Sequence, residues 1–238
     1  MKTLDQLKVK IFADGADLDG ILELYHNPYI AGFTTNPTLM RKSGISDYEK
    51  FSRQVLEHVA DRPISFEVFS DEFDEMEHQA RKIAGWGKNV YVKIPVTNTR
   101  RESSVELVCR LAAEGVKLNV TALMTLQQVR IVSNALGNNA PAYISVFAGR
   151  IADTGCDPLP LMKEAVEIMC PYQNQELIWA SPRELLNIFH ADDVGCHVIT
   201  VTHDILKKLS LVGKELDEFS LDTVKMFYRD AQKAGYHI

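Results

Sequence analysis

The sequence predicts an α/β fold in which eight strands and the helices between them close into one barrel. Three observations lead there. Short apolar runs bounded by turn or helix-cap residues occur eight times along the chain. Their starts recur about every 20 to 35 residues, the length of one strand–helix unit. The stretches between them carry helical periodicity and helix punctuation. Regular alternation with near-continuous apolar strands describes a parallel sheet covered by helices, and eight such units suit closure. An open doubly wound sheet is the competitor, but no GxGxxG follows the first strand and no Walker A pattern occurs. The expected fold is therefore a single (β/α)8, or TIM, barrel domain spanning 1–238, with an extra C-terminal helix.

In order, the predicted strands cover 9–14, 31–36, 64–69, 90–96, 118–124, 142–149, 176–181 and 198–203. Between them, Ser46-Asp47-Tyr48-Glu49 and Thr99-Arg100-Arg101-Glu102 have capping-box spacing, in which a hydroxyl and a carboxylate satisfy amides at a helix start. Gly115, Gly137 and Gly195 stand where helices would stop. The tail, 220–238, reads as one more helix with Val224, Phe227, Tyr228 and Ala231 at helical spacing. That stripe would pack on its own barrel or reach a neighbouring subunit.

Bulk properties exclude several classes. The chain is 46% hydrophobic and 24% charged, with a formal charge of −6 and a pI near 5.7. It offers no general basic field for nucleic acid or an anionic membrane. No apolar run approaches the roughly 20 residues of a membrane span, and Met1 to Gln6 lack the hydrophobic segment of a signal peptide, which places the chain in the cytoplasm. Cys109, Cys156, Cys170 and Cys196 form no CxxC pair and are expected as free thiols. The histidines, among them His190, His197 and His203, make no HExxH or ligand cluster, so no metal is expected.

Lys93 is the most informative single residue. It sits within Val90-Tyr91-Val92-Lys93-Ile94-Pro95-Val96, an apolar strand with no acidic residue inside it. Burial strongly disfavours an ammonium ion. A lysine so placed becomes a candidate neutral amine that can form a Schiff base with a carbonyl. The alternative is a lysine that snorkels from the strand end or pairs with a distant carboxylate.

In a (β/α)8 barrel the chemistry gathers at the C-terminal ends of the strands, and here those ends carry polar groups. Asp14 closes the first strand, Thr34, Thr35 and Asn36 the second, Glu67 lies in the third, Lys93 in the fourth, and Asn119 and Thr121 in the fifth. Ser145 and Arg150 belong to the sixth, Ser181 and Arg183 to the seventh. Asp14 and Glu67 can move protons, while Asn36, Asn119 and Thr121 can bond substrate hydroxyls or water. Arg150 and Arg183, with Ser145 and Ser181, suit a phosphate group. Either arginine alone reads as a surface ion pair, and Asp14 or Asn36 alone as a helix cap.

Taken together, these motifs resemble the transaldolase family, specifically its short branch that includes fructose-6-phosphate aldolase. The likeness is carried by Ile11-Phe12-Ala13-Asp14, Gly32-Phe33-Thr34-Thr35-Asn36-Pro37-Thr38, Val92-Lys93-Ile94-Pro95, Asn119-Val120-Thr121, Ile144-Ser145-Val146-Phe147-Ala148-Gly149-Arg150-Ile151 and Ala180-Ser181-Pro182-Arg183. The resemblance implies a Schiff-base transferase that moves a dihydroxyacetone unit from a ketose phosphate, such as fructose 6-phosphate or sedoheptulose 7-phosphate, to an aldose phosphate. It implies Lys93 as nucleophile, Glu67 and Thr121 as managers of a water, and Asp14 as the base at the C4 hydroxyl. Asn36 and Asn119 would hold the three-carbon fragment, and Ser145, Arg150, Ser181 and Arg183 would line the phosphate end. No cofactor is implied, and the partners are sugar phosphates and further copies of the chain, in a ring-type pentamer or decamer.

The family's aldolases carry glutamine and tyrosine where this chain has Glu67 and Phe147, which favours transfer over cleavage. Gly15, Val146 and Pro182 depart from the family pattern, and Pro182 offers no amide hydrogen at the phosphate end. The alternatives are a lyase resembling fructose-6-phosphate aldolase and a non-catalytic barrel that binds sugar phosphates.

Overall fold

A parallel sheet of near-continuous apolar strands needs cover on its outer face and something to fill its interior once closed. The computed structural model describes residues 2–236 and meets both needs. Strands β1 (Lys10–Asp14), β2 (Ile30–Thr34), β3 (Ile64–Glu67), β4 (Val90–Pro95), β5 (Leu118–Leu123), β6 (Ala142–Val146), β7 (Gln175–Trp179) and β8 (Val198–Thr202) form a closed barrel in sequence order. The last strand returns to the first through pairs such as Lys10 with Val198 and Asp14 with Thr202.

The helices are α1 (Leu18–Tyr25), α2 (Pro37–Lys42), α3 (Tyr48–His58), α4 (Phe73–Ala84), α5 (Val105–Ala113), α6 (Leu126–Leu136), α7 (Ala148–Asp153), α8 (Pro158–Met169), α9 (Leu186–Asp193), α10 (His203–Leu206) and α11 (Leu216–Ala234). Their inner faces follow the helical repeat. Val129, Val132 and Leu136 of α6 and Leu107, Val108 and Leu111 of α5 are all buried, each such side chain contributing about 1.5–3 kcal/mol by leaving water. Gly115, Gly137 and Gly195 follow α5, α6 and α9 with positive φ, as helix-stop glycines do.

Inside the barrel a separate apolar cluster of Phe12, Tyr143, Ile178, Ala180 and Val198 makes a floor. Gly32 is needed here, because a Cβ would lie 2.6 Å from the Phe12 ring. Above this floor the interior turns polar.

Local punctuation differs from the expectation in four places. β2 ends at Thr34, two residues earlier than predicted, because Asn36 caps α2 by accepting from the Leu39 amide at 2.9 Å with Pro37 at the first helical position. Residues 148 and 149, read as strand, open α7 instead. Asp47, not Ser46, caps α3. Thr99-Arg100-Arg101-Glu102 starts no helix: Thr99 bonds Asp71 through its amide and hydroxyl, and α5 begins at Val105.

The C-terminal helix begins at Leu216, four residues before the expected start, and none of its residues is buried. Val224, Phe227 and Tyr228 are 59%, 63% and 66% exposed, so the stripe does not pack on its own barrel. Residues 237 and 238 of the predicted helix lie outside the described residues. Among the described residues no helix is long and apolar enough to cross a membrane. Because Phe227 buries little within its own chain, Phe227→Glu should leave the circular-dichroism melting midpoint of dilute protein within about 2 °C of the parent. A fall beyond about 5 °C would mean that the helix is packed.

Candidate active site

Parallel register places the key side chains side by side. Glu67 of β3 is the paired neighbour of Lys93 of β4, and Lys93 in turn of Asn119 of β5. Lys93 is 7% exposed. Its Nζ lies 3.1 Å from Glu67 Oε2 and donates to the Thr35 carbonyl, also at 3.1 Å. The partner missing from its own strand is therefore supplied across the sheet by Glu67, as the distant-carboxylate alternative expects. Removing one member of such a buried pair typically costs about 3–5 kcal/mol, because the other charge is left uncompensated.

Asp14, at the end of β1, faces the same pair. Burial pushes its carboxyl above the usual range, while the Lys93 charge and hydrogen bonds from Thr34 and Asn36 work in the other direction and the Glu67 charge adds to the rise. The Thr34 hydroxyl donates to Asp14 Oδ1 at 2.8 Å and touches the Thr200 hydroxyl of β8.

A second chain of bonds crosses the interior beside this set. The Ser145 hydroxyl donates to Asn119 Oδ1 at 2.7 Å, and Asn119 Nδ2 donates to Ser65 Oγ at 3.0 Å. Ser145 is thus engaged with Asn119 rather than with the arginines it was expected to accompany. Thr121, 2% exposed, sits at an irregularity of the β5–β6 ladder where Ala122 adopts φ 65°. Its hydroxyl has no hydrogen-bond partner among the described residues, so both its donor and its acceptor capacity are unspent.

The arginines lie at the rim after β6 and β7. Arg150 stands over the Phe147 ring, 5.5 Å from its centroid, and forms no ion pair among the described residues. Arg183 matches the plainer reading: its Nε contacts Asp153 Oδ1 at 2.8 Å, a second nitrogen reaches Oδ2, and Nη1 donates to Ser181 Oγ at 3.0 Å. Arg150 makes no ion-pair contact at this rim among the described residues, although its charge reaches Asp153, which Arg183 holds. The fork at Arg183 is held by close backbone contact, since a Cβ on Gly149 would lie 1.6 Å from the Ser181 carbonyl oxygen. Ser181 itself, just before Pro182, adopts φ 61°.

Sequence reasoning missed three members. Ser65 and Thr200 join the interior chains, and both stood in strands that had been recognised; two-residue alternation back from Glu67 would have found Ser65. The third is Tyr48, in the first turn of α3, whose hydroxyl accepts from the Glu67 amide and donates to the Glu67 carbonyl, each at 2.8 Å. No strand pattern points to it.

The raised Asp14 value carries a stability consequence. The folded carboxyl keeps its proton to higher pH than the unfolded one, so stability falls as pH rises from the unfolded value near 3.9 through the folded value. Asp14→Asn removes that loss. Its melting temperature should exceed the parent's at pH 7 by a few degrees, and thermal scans across pH should show the gap closing toward about pH 4.

Comparison with known proteins places the chain in a family. The family model described as transaldolase/fructose-6-phosphate aldolase matches residues 11–238. A "Probable transaldolase" of Thermoanaerobacter sp. (strain X514) is 33% identical over 231 residues, covering 97% of this chain and 100% of the relative. "Probable transaldolase 2" of Listeria monocytogenes serovar 1/2a is 34% identical over 218 residues, covering 90% and 95%. A crystal structure from Burkholderia cenocepacia J2315, whose name gives lyase/mutase as a candidate activity, superposes with a TM-score of 0.58 at 12% identity, over 97% of this chain and 85% of that one, and shows the fold alone. A match over nearly the whole length, with relatives covered almost end to end, makes this chain a member of the transaldolase/fructose-6-phosphate aldolase family.

Proposed function

We propose that the protein is a Schiff-base transaldolase that passes a dihydroxyacetone unit from a ketose phosphate, such as fructose 6-phosphate or sedoheptulose 7-phosphate, to an aldose phosphate. The observation that carries this reading is the Lys93 amine held 3.1 Å from Glu67 Oε2 inside the barrel, with Asp14 close enough for the lysine charge to act on it. A proton passed from Lys93 to Glu67 leaves a neutral amine, which adds to the ketone carbonyl. Glu67, with the unspent Thr121 hydroxyl, then handles the water lost as the carbinolamine becomes an iminium. Asp14, as a carboxylate, takes the proton from the C4 hydroxyl. The C3–C4 bond breaks, its electrons reach the iminium nitrogen as an enamine, and the aldehyde leaves. The enamine then attacks the acceptor aldehyde, and these steps reverse.

Asn119, bonded to Ser65 and Ser145, gives the three-carbon fragment a fixed amide to lie against, and Asn36 keeps its amide group beside Asp14. In our reading Arg150 is the principal phosphate anchor, and Arg183 and Ser181 contribute through a fork that Asp153 already neutralises in part. Phe147 has no hydroxyl to deliver water to the bound fragment, which favours transfer over cleavage. The exposed apolar residues of α11, including Val224 and Phe227, supply a surface for assembly with other copies around a one-domain barrel. Four free thiols suit the reducing cytoplasm.

Borohydride reduction in the presence of fructose 6-phosphate and no acceptor tests the chemistry. Peptide mass spectrometry should find a stoichiometric three-carbon adduct on Lys93, and Lys93→Met should abolish it. No adduct with any ketose would sink the covalent mechanism.

A further inference from the structure

The pairing of β2 with β3 stops one rung short of Glu67, and its interruption leads to Tyr48. Phe33 N donates to Pro63 O at 2.8 Å and Thr35 N to Ser65 O at 3.1 Å. In a parallel ladder the next bond would run from the Glu67 amide to the Thr35 carbonyl. The rung after that would need an amide donor at residue 37, which is Pro37 and has none.

Both bonds are replaced by side chains. The Tyr48 hydroxyl takes the Glu67 amide and gives its own proton to the Glu67 carbonyl, at 2.8 Å each. The Thr35 carbonyl, released from the ladder, accepts from Lys93 Nζ at 3.1 Å. The phenol ring lies beside Phe66, Phe69 and Trp86, with centroids 6.5, 5.5 and 6.0 Å away. Burial pushes the phenol well above its usual pKa, so it keeps the proton it donates.

We propose that Tyr48 is a positioning residue. Its hydroxyl wedges open the β2–β3 ladder, fixes the backbone of Glu67 opposite Lys93, and reserves the Thr35 carbonyl as the second acceptor for the lysine. This deepens the Schiff-base reading and rests on it for the roles of Lys93 and Glu67. Without the hydroxyl, the Glu67 amide can close onto the Thr35 carbonyl, shifting Glu67 and competing with the lysine for that oxygen. Sub-ångström shifts of this kind are costly, since a misplacement of about 1 Å can lose on the order of 10²-fold in rate.

The test uses the full chain with Tyr48→Phe and, as a packing control, Trp86→Phe, which trims the same aromatic cluster without touching Glu67. The readouts are the maximal rate of borohydride-trapped adduct formation, the fructose 6-phosphate concentration giving half that rate, and the melting midpoint. Y48F should lose roughly 10- to 100-fold in maximal rate while the half-saturating concentration moves less than about twofold, because Tyr48 does not touch substrate. W86F should keep its rate within about twofold even where its melting midpoint falls as far as that of Y48F. A Y48F protein trapping at the parent rate, or a W86F protein losing as much, would overturn the proposal.

If the parent chain forms no adduct, it is the Schiff-base reading that fails, and a Y48F crystal structure then decides the role of Tyr48. A Glu67 amide bonded to the Thr35 carbonyl supports the wedge, and an unchanged gap between them overturns it.

Discussion

The polar groups inside this barrel gather beside one lysine amine kept largely out of water. Lys93 occupies a strand that is otherwise apolar, and its charge is tolerable only because Glu67 stands in register on the next strand and the Thr35 carbonyl is free to accept from it. A pair separated in sequence by 26 positions is made adjacent by strand order alone. In the proposed mechanism, the barrel turns a sequence feature that looks unfavourable into a proton-exchanging couple at the C-terminal side, where such barrels do their chemistry.

The surrounding groups divide by how much of their hydrogen-bonding capacity is already committed. Asn119 is committed at both ends of its amide, to Ser65 and Ser145, which makes it rigid. Thr121 is buried with its hydroxyl uncommitted, and Arg150 has only an aromatic face beneath it. Asp14 is intermediate: Thr34 supports its charged form while burial opposes it.

The strand rhythm and the polar strand ends were legible because both are periodic. Burial on both sheet faces writes near-continuous apolar runs, and polar groups at C-terminal ends stand out against them, as Asp14, Glu67 and Lys93 did. What stayed hidden was pairing between distant residues. Lys93 seemed partnerless because its carboxylate lies on another strand; Arg183 gave no sign of Asp153; and Tyr48 belongs to a helix whose sequence advertises only its own amphipathic face. Thr99 and Glu102 had the spacing of a capping box, yet the hydroxyl and amide of Thr99 bond Asp71 in the preceding loop. Tertiary hydrogen bonds won there over a local signal of comparable strength.

The most direct test of the account is a crystal structure of the borohydride-reduced adduct. It should show a single bond between Lys93 Nζ and the second carbon of a three-carbon chain, with Glu67 and Thr121 flanking the new bond and Asp14 facing the carbon where the sugar was cleaved. A sugar phosphate seated in the barrel with no bond to nitrogen, and Lys93 still paired with Glu67, would contradict it.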